Sequence, residues 1–205
     1  MNALPWLAAS YLLGAIPTSY LAGRLIRGID LRQHGSRNLG ATNLYRVLGW
    51  RYAVPVGLFD AAKGLVPVLA FAPQVSTSEL FALVCGLMAV LGHAFSVFVG
   101  FKGGKGVATA AGVMLGLTPV ALGVAAGVWL ALVLLTGYVS VGSIAAAAIF
   151  PLAVYLLEPP DRPAMLWLDV ALAAAIIWFH RSNIRRLLNG TESRFGRHAA
   201  PARRP

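Results

Sequence analysis

The sequence predicts an all-α integral membrane protein, a polytopic bundle of seven transmembrane helices that forms one membrane-embedded domain over residues 1–205. Three observations predict this fold class. Hydrophobic residues make up 58% of the chain and charged residues only 12%, whereas about a quarter of the residues of a soluble domain are charged. The apolar residues fall in long runs separated by short polar segments. The basic residues cluster beside those runs, as they do on the cytoplasmic side of membrane proteins.

The first predicted crossing covers 4–22, which is long enough to span the hydrocarbon core as a helix. No Lys or Arg precedes Arg24. The run therefore lacks the basic segment of a secretory signal, and we expect a retained helix with its N-terminus outside. The next crossings are predicted at 52–72, 80–99, 107–118, 119–137, 144–157 and 165–179.

The stretch 107–137 admits two interpretations, one overlong helix or two short helices broken at Thr118 and Pro119, because proline disfavours helix at the residue before it. The charges favour two helices, since a single crossing would place the arginine-rich C-terminal segment outside. Seven crossings make the C-terminus cytoplasmic and leave Arg162 as the one basic residue outside. Whether the two short helices cross or re-enter stays open at this point.

Beyond the last crossing, residues 181–190 have the pattern of a helix that lies on the membrane surface. Ile184, Leu187 and Leu188 share one face, and arginines stand beside them. Residues 199–205 are predicted to be disordered. The single cysteine, Cys85, lies in an apolar run and is interpreted as a packing residue.

The formal net charge of +10 fits three kinds of partner: nucleic acid, anionic lipid and phosphorylated substrates. A nucleic-acid interface would place basic residues and interleaved aromatics on a soluble module. The sequence has no such module, so we expect no nucleic-acid binding. Phosphorylated substrates and membrane lipids remain.

The first glycine-rich polar segment, 35–43, has the composition of a phosphate-binding loop. Small residues let backbone N–H groups approach an anion, hydroxyl and amide side chains add donors, and an arginine offers two parallel N–H groups to phosphate oxygens. The alternative is a flexible connector, which would not need so many Asn and Thr residues. The candidate binding residues are Ser36, Asn38, Thr42, Asn43 and Arg46.

The second glycine-rich segment, 100–109, leads directly into an apolar helix. Glycines, two lysines and a helix N-terminus together favour an anion, because free N–H groups and the helix dipole both attract negative charge. The spacing is not that of a Walker A loop. The alternative is a basic anchor that only fixes orientation and would not need its glycines. The candidate binding residues are Lys102, Gly103, Gly104 and Lys105.

Two supporting features lie in the predicted second and third crossings. Asp60 and Lys63 stand three residues apart on a helix, which predicts either a structural ion pair or a substrate contact. His93 precedes the second glycine-rich segment. We assign all three residues a structural, supporting role.

Two further groups lie at predicted membrane edges. Ser140 and Ser143 are small hydroxyl residues that either line a site or serve helix packing. His180 and Asn183 share a helix face beside arginines, and we take them as the candidate catalytic residues.

The sequence lacks the motifs of common metal sites and of hydrolase active sites. It contains no Cys/His cluster, HExxH motif or EF-hand loop, so we expect no protein-held metal and no cofactor. It also contains no G-x-S-x-G elbow, which argues against a hydrolase triad.

Several segments together resemble the bacterial acyl-phosphate-dependent glycerol-3-phosphate acyltransferases, the PlsY family. The most specific is Phe-Lys-Gly-Gly-Lys-Gly-Val-Ala-Thr at 101–109, and the resemblance extends from about residue 11 to 192. Arg37 stands where the family has the second glycine of Gly-Ser-Gly-Asn, and Ser96 stands where it has proline. The other matching segments are 14–17, 30–32, 35–43, 60–64, 92–96 and 180–187.

The resemblance implies a multi-pass enzyme of the bacterial inner membrane with its active site facing the cytoplasm. The enzyme would transfer a fatty acyl group from acyl phosphate to the 1-hydroxyl of glycerol 3-phosphate, producing lysophosphatidic acid and phosphate for phospholipid synthesis. It would use no cofactor, and acyl-CoA would not be a direct donor. We expect a monomer that contacts membrane lipids.

Acyl phosphate carries a good leaving group, so positioning and charge stabilisation could suffice for catalysis. We expect the residues of the two glycine-rich segments to hold the phosphates, with Ser140 and Ser143 in the same pocket. His180, oriented by Asn183, would accept the proton of the glycerol hydroxyl. The alternative is that a phosphate oxygen of the donor accepts it. A competing function is membrane transport of a small phosphorylated solute.

Overall fold

The computed structural model describes residues 2–159 and 163–195, and this part of the chain contains ten α-helices and no strand. The predicted all-α class is confirmed. Arg162 and the predicted disordered tail, 199–205, lie outside the described residues. The helices are α1 (Leu4–Ala15), α2 (Thr18–Arg27), α3 (Ala41–Leu48), α4 (Trp50–Val66), α5 (Glu79–Ala94), α6 (Val107–Leu117), α7 (Pro119–Thr136), α8 (Val139–Leu157), α9 (Pro163–Phe179) and α10 (Arg181–Leu188).

Four helical segments of the described chain are long and apolar enough to cross a membrane: Trp50–Gln74, Glu79–Val99, Pro119–Thr136 and Val139–Leu157. The first extends α4 through a π-helical turn, Pro67–Phe71. α9 and α10 meet at a bend of 51° and form a fifth candidate if they count as one broken span. α6 is apolar but has only 11 residues. The seven crossings therefore stay a prediction.

Residues 4–22 do not form one helix, so the prediction of a single continuous helix there is wrong, while the crossing itself stays a prediction. α1 ends at Ala15 and α2 begins at Thr18. Pro17 causes the break, because proline has no N–H to donate and forces the preceding residue out of the helical region. Ile16 accordingly has an extended ψ of 113°. The carbonyl groups beside the break must then find partners outside the helix.

Two other boundaries differ in how well the sequence predicts them. The break at Thr118 is confirmed, since α6 ends one residue before it and α7 begins with Pro119. The start of α8 is predicted too late, at 144 instead of Val139. The serines there do not oppose the helix, because the Ser143 hydroxyl donates to the Val139 carbonyl one turn back at 2.9 Å.

The hydrophobic core lies among α5, α6, α8 and α9. Leu83, Cys85 and Val113 have no exposed surface, and the prediction that Cys85 is a buried packing residue is confirmed. This core fixes the helices whose ends carry the polar residues described below.

α4 and α6 pack backbone against backbone through two glycines. A Cβ atom on Gly64 would lie 1.9 Å from the carbonyl oxygen of Thr109, and one on Gly112 would lie 1.8 Å from that of Ala61. No side chain larger than hydrogen fits at either position. This contact sets the position of α6, and hence of the loop that precedes it.

Lys63 is the centre of a buried polar network between α1, α4 and α5. Its ammonium lies 2.8 Å from an Asp60 carboxylate oxygen and donates to the Ile16 carbonyl at 2.8 Å. The Thr18 hydroxyl also donates to Asp60, at 3.0 Å, and the His93 ring nitrogen lies 3.3 Å from the ammonium. The ammonium thus adds a partner to the Ile16 carbonyl beside the Pro17 break, which also accepts from the Thr18 N–H at 3.0 Å. The structure thus contains the ion pair that the sequence allowed.

We predict that Lys63→Met destabilises the protein by roughly 3–5 kcal/mol, because it leaves the buried Asp60 carboxylate unpaired. The double variant Asp60→Asn/Lys63→Met should recover much of this loss, since no unpaired charge remains. Unfolding in detergent, followed by tryptophan fluorescence, measures both effects.

The matched control is Lys102→Met, which removes an exposed lysine and should change stability by no more than about 0.5 kcal/mol. A double variant as unstable as Lys63→Met alone would contradict the ion-pair explanation.

Candidate active site

A cavity of about 410 Å³ lies where the segment before α3, the N-terminus of α6, the first turns of α8 and the junction of α9 and α10 meet. Both glycine-rich segments contribute to its wall. The cavity is polar at these helix ends and apolar farther along α6 to α9. The predicted site residues in its wall are Ser36, Asn38, Thr42, Asn43, Arg46, Lys105, Ser140, Ser143, His180 and Asn183, and the supporting residues Asp60 and His93 join them.

In the first glycine-rich segment, Asn43 organises the loop rather than reaching into the cavity with a free amide. Its side-chain oxygen accepts a hydrogen bond from the Ser36 backbone N–H at 2.7 Å. Its side-chain nitrogen donates to the carbonyl groups of His34 and Asn38 at 3.1 and 3.0 Å. Asn43 is 1% exposed. The loop is therefore curled around one buried amide, which holds Ser36 and Asn38 at the cavity wall.

Arg37 occupies the position where the resembling family has glycine. Its backbone has a conformation that favours glycine. Its φ is +61°, in the left-handed region that glycine adopts without steric cost. The chain keeps this conformation with an arginine whose side chain is exposed and absent from the cavity wall. The arginine therefore adds no side chain to the cavity.

In the second glycine-rich segment, Gly103 and Gly104 pack against the end of α5. Their N–H groups donate to the carbonyls of Ala94 and His93, both at 3.0 Å. A Cβ atom on Gly104 would lie 2.2 Å from the His93 ring nitrogen. The glycines therefore allow a close approach, and their N–H groups already have protein partners.

Lys102 is exposed. Four predicted residues are absent from the cavity wall: Lys63, Lys102, Gly103 and Gly104. Of the four binding residues predicted in this segment, Lys105 is the one that lines the cavity. The sequence pattern identified the loop, but it could not reveal which N–H groups the fold had already paired.

The N-terminus of α6 also faces the cavity. Gly106, with φ of +75°, precedes the helix, and no side chain caps it. Val107 and Ala108 of the first turn line the cavity beside Lys105. Uncapped N–H groups and the helix dipole make this end attractive to an anion.

His180 lies at the bend between α9 and α10 and is 3% exposed. Its Nδ1 lies 2.8 Å from the Ile176 carbonyl oxygen, which can only accept a hydrogen bond. In the neutral ring Nδ1 therefore carries the proton, and Nε2 is an acceptor. The Ile176 carbonyl, not Asn183, orients the ring.

Asn183 instead bonds to charged groups. Its side-chain nitrogen donates to Glu192 at 2.8 Å, and its oxygen accepts from the Lys105 ammonium. The expectation that Asn183 orients the His180 ring is therefore wrong. Hydrogen bonds to charged partners are stronger than those to a neutral ring, so the amide turns toward the lysine and the carboxylate.

Glu192 is a site residue that sequence reasoning missed. It accepts hydrogen bonds from Ser140 at 3.0 Å and Asn183 at 2.8 Å through one oxygen, and from Arg186 at 2.6 Å through the other. Burial by itself raises the pKa of Glu192, but these hydrogen bonds and the Arg186 charge lower it below its ordinary value. The one sequence signal was a lone carboxylate in an arginine-rich segment.

The segment around Glu192 also contacts α3, the helix that follows the first glycine-rich segment. Arg46 donates to the Ser193 carbonyl at 3.1 Å, and the rings of Tyr45 and Phe195 stack with centroids 4.6 Å apart. The C-terminal segment is therefore part of the site, although it lies far from α3 in the sequence.

The polar end of the cavity is cationic. The pKa of Lys105 falls to about 8, chiefly because burial disfavours its charged form and also because the charges of Arg186 and Arg46 are near, while Glu192 acts in the opposite direction. Among the described residues, no group of three His, Cys, Asp or Glu side chains could hold a metal ion. This arrangement suits an anionic ligand with an apolar part.

A family model described as glycerol-3-phosphate acyltransferase matches residues 4–190. The chain belongs to this family. A glycerol-3-phosphate acyltransferase of Trichlorobacter lovleyi is 49% identical over 190 residues, which cover 93% of this chain and 96% of the relative. One of Chlorobium phaeobacteroides is 44% identical and covers 94% of this chain and 97% of the relative.

Two crystal structures of PlsY, an integral membrane glycerol 3-phosphate acyltransferase, share the fold. The glycerol 3-phosphate form has a TM-score of 0.87 and 41% identity over 95% of this chain and 96% of that chain. The lysophosphatidic acid form has a TM-score of 0.84 and 40% identity, with 95% of each chain covered. This acyltransferase fold and the apolar helices make the protein an all-helical integral membrane protein.

Proposed function

We propose that the protein transfers a fatty acyl group from acyl phosphate to the 1-hydroxyl of glycerol 3-phosphate, releasing phosphate and lysophosphatidic acid. The observation that carries this proposal is the two-part cavity, with cations and an uncapped helix N-terminus at one end and an apolar interior. Both substrates carry phosphate, and one carries an acyl chain. The family membership and the PlsY structures in their glycerol 3-phosphate and lysophosphatidic acid forms support glycerol 3-phosphate as the acceptor and lysophosphatidic acid as the product, and acyl phosphate as the donor is our proposal.

In this mechanism Arg46, Lys105 and the α6 N-terminus bind the phosphate groups, with Ser36 and Thr42 as further donors. Of the four predicted binding residues of the second segment, only Lys105 contacts phosphate in this mechanism, because the N–H groups of Gly103 and Gly104 have protein partners and Lys102 is exposed. The acyl chain lies along the apolar walls of α6 to α9. No cofactor takes part.

The hydroxyl oxygen of glycerol 3-phosphate attacks the acyl carbonyl carbon, and the bond between that carbon and the phosphate oxygen breaks. Phosphate leaves with the electron pair. The cations stabilise the charge that develops on the carbonyl oxygen and on the leaving phosphate. Asn183 and Glu192 position Lys105 and the C-terminal segment around the reacting groups.

The hydroxyl proton has two possible acceptors, Nε2 of His180 and a phosphate oxygen of the donor. The hydrogen bond between Nδ1 and the Ile176 carbonyl leaves Nε2 free to accept a proton, which favours His180 as the general base.

We also propose that the chain crosses the bacterial inner membrane seven times, with its N-terminus outside and the cavity mouth facing the cytoplasm. The cationic mouth supports this orientation, because basic residues are retained on the cytoplasmic side. In membrane vesicles, Lys102→Cys should react with an impermeant maleimide when the cytoplasmic face is outside. Labelling from the opposite face would overturn the orientation, and the buried Cys85 of the unmodified protein controls for background.

The function is tested with purified protein in detergent, palmitoyl phosphate and glycerol 3-phosphate. We expect inorganic phosphate and lysophosphatidic acid to form in equal amounts. A transporter would instead accumulate glycerol 3-phosphate in liposomes without releasing phosphate from the donor, and that result would overturn the proposal.

We predict that His180→Ala lowers kcat by about 10²–10⁴, the usual contribution of a general base. His34→Ala, which removes an exposed histidine outside the cavity wall, should leave kcat unchanged. Turnover of His180→Ala close to that of the unmodified enzyme would eliminate the base role and assign the proton to the donor phosphate.

We predict that kcat/KM for glycerol 3-phosphate falls as pH rises through about 8, the pKa of Lys105. Below this pH the ammonium is charged and binds phosphate, and above it the charge is lost, whereas glycerol 3-phosphate is already doubly ionised. The measurement is made at constant ionic strength. Lys105→Arg, which stays charged, should lack this decline, and a flat profile between pH 7 and 9.5 for the unmodified enzyme would contradict the assignment.

A further inference from the structure

The exposed surface of α2 has an apolar edge and a basic edge. Leu21 and Leu25 stand four residues apart and are 41% and 85% exposed. Arg24 and Arg27 stand three residues apart and are also exposed. Residues three or four apart on a helix are neighbours on its surface, so the leucines form one edge and the arginines the other. Such a helix is suited to a membrane surface that contains anionic lipids.

The segment that contains α2 carries an excess of positive charge. Between residues 18 and 37 four arginines accompany one acidic residue, Asp30. The Asp30 carboxylate lies 2.7 Å from the Arg32 guanidinium and 3.8 Å from that of Arg24. Its closer partner is therefore Arg32, and Arg24 keeps N–H groups that can bind another anion.

Tyr20 holds the basic edge in place. Its hydroxyl accepts a hydrogen bond from Nε of Arg24 at 3.2 Å. The guanidinium carbons of Arg24 and Arg32 lie 5.5 and 5.1 Å from the centroid of its ring. The tyrosine itself packs on a hydrophobic cluster that includes Leu31 and Val56. Because the cations are already positioned, less conformational freedom is lost when they bind a ligand.

Contacts with α4 show how α2 runs relative to the candidate span. The Thr18 hydroxyl donates to Asp60 at 3.0 Å. Tyr20, two residues later, packs on the cluster that contains Val56, which lies one turn before Asp60 on α4. As α2 advances, its contacts thus move back along α4, so the two helices run antiparallel.

Trp50 shows the depth that the end of α2 reaches. It begins the candidate span and is 64% exposed, and the Arg51 guanidinium lies 5.9 Å from its ring. Tryptophan concentrates at the level of the lipid headgroups. The distance along the helix is about 14 Å from Thr18 to Arg27 and about 15 Å from Asp60 to Trp50. Arg27 therefore lies near the level of Trp50, where headgroup phosphates are found.

We propose that the basic edge of α2, formed by Arg24 and Arg27, binds the headgroup phosphates of anionic phospholipids. Leu21 and Leu25 then lie beside the acyl chains of the same lipids. An anionic headgroup complements the excess of arginine, whereas a zwitterionic headgroup brings a cation of its own. The inference concerns the membrane around the protein and does not rest on the proposed reaction.

The test measures which lipid lies beside α2 in vesicles of equal parts phosphatidylglycerol and phosphatidylcholine. An NBD fluorophore is attached to Leu25→Cys of the full-length protein, while the native Cys85 is buried. Nitroxide-labelled phosphatidylglycerol should quench it more strongly than nitroxide-labelled phosphatidylcholine. We expect phosphatidylglycerol to be enriched beside the label by at least about fivefold, the effect of one arginine near an anionic surface. Arg24→Gln/Arg27→Gln should remove this enrichment.

Two matched variants separate charge at this edge from other effects. Arg24→Lys/Arg27→Lys keeps both positive charges and should retain the enrichment within about twofold. Arg181→Gln/Arg185→Gln removes two exposed arginines from α10 and should leave the enrichment beside α2 unchanged. The unfolding temperature of each variant reports whether it is folded.

Three results would overturn the inference. Equal quenching by the two lipids with the native arginines would mean that the edge does not select anionic headgroups. Enrichment that survives in Arg24→Gln/Arg27→Gln would assign it to other residues. Quenching by neither lipid would mean that protein, for example a second copy of the chain, covers α2 in the membrane.

Discussion

The structure depends on one constraint: within an apolar bundle, a charge or a free backbone carbonyl must be paired or must face a site. The Lys63 ammonium meets this constraint by joining Asp60 and the Ile16 carbonyl beside the Pro17 break. Glu192 meets it by accepting hydrogen bonds from three side chains. Lys105 differs, because its ammonium bonds to the Asn183 amide oxygen and to no carboxylate, and we propose that its charge binds an anionic ligand.

Helix ends build the polar part of the cavity. The uncapped N-terminus of α6 and the bend between α9 and α10 both lie at its wall. A continuous helix would present only side chains there, whereas a helix end also presents N–H groups and its dipole. The apolar walls continue from these ends along the helices, so a ligand with a charged head and a hydrocarbon tail matches the cavity along its length.

Two departures from the family pattern have different physical explanations. Arg37 has a left-handed backbone, which glycine adopts without steric cost, and its side chain is exposed. Ser96 is 1% exposed and donates its hydroxyl hydrogen bond to the Ala15 carbonyl at the end of α1. Proline has no hydroxyl group and could not make this bond. The serine thus supplies a partner for a carbonyl that the break at Pro17 leaves without one.

The sequence by itself determined the fold class, the break at Thr118, both glycine-rich segments and most of the polar residues of the cavity wall, because composition, proline and glycine act locally. Pro17 is an equally local signal, but the prediction missed that break because the apolar run continues through the proline. The sequence could not show that the N–H group of Gly103 is already bonded, or that Glu192 closes the site. These outcomes depend on partners from distant parts of the chain, and only the packing of the helices decided which polar groups were paired and which were left to a substrate.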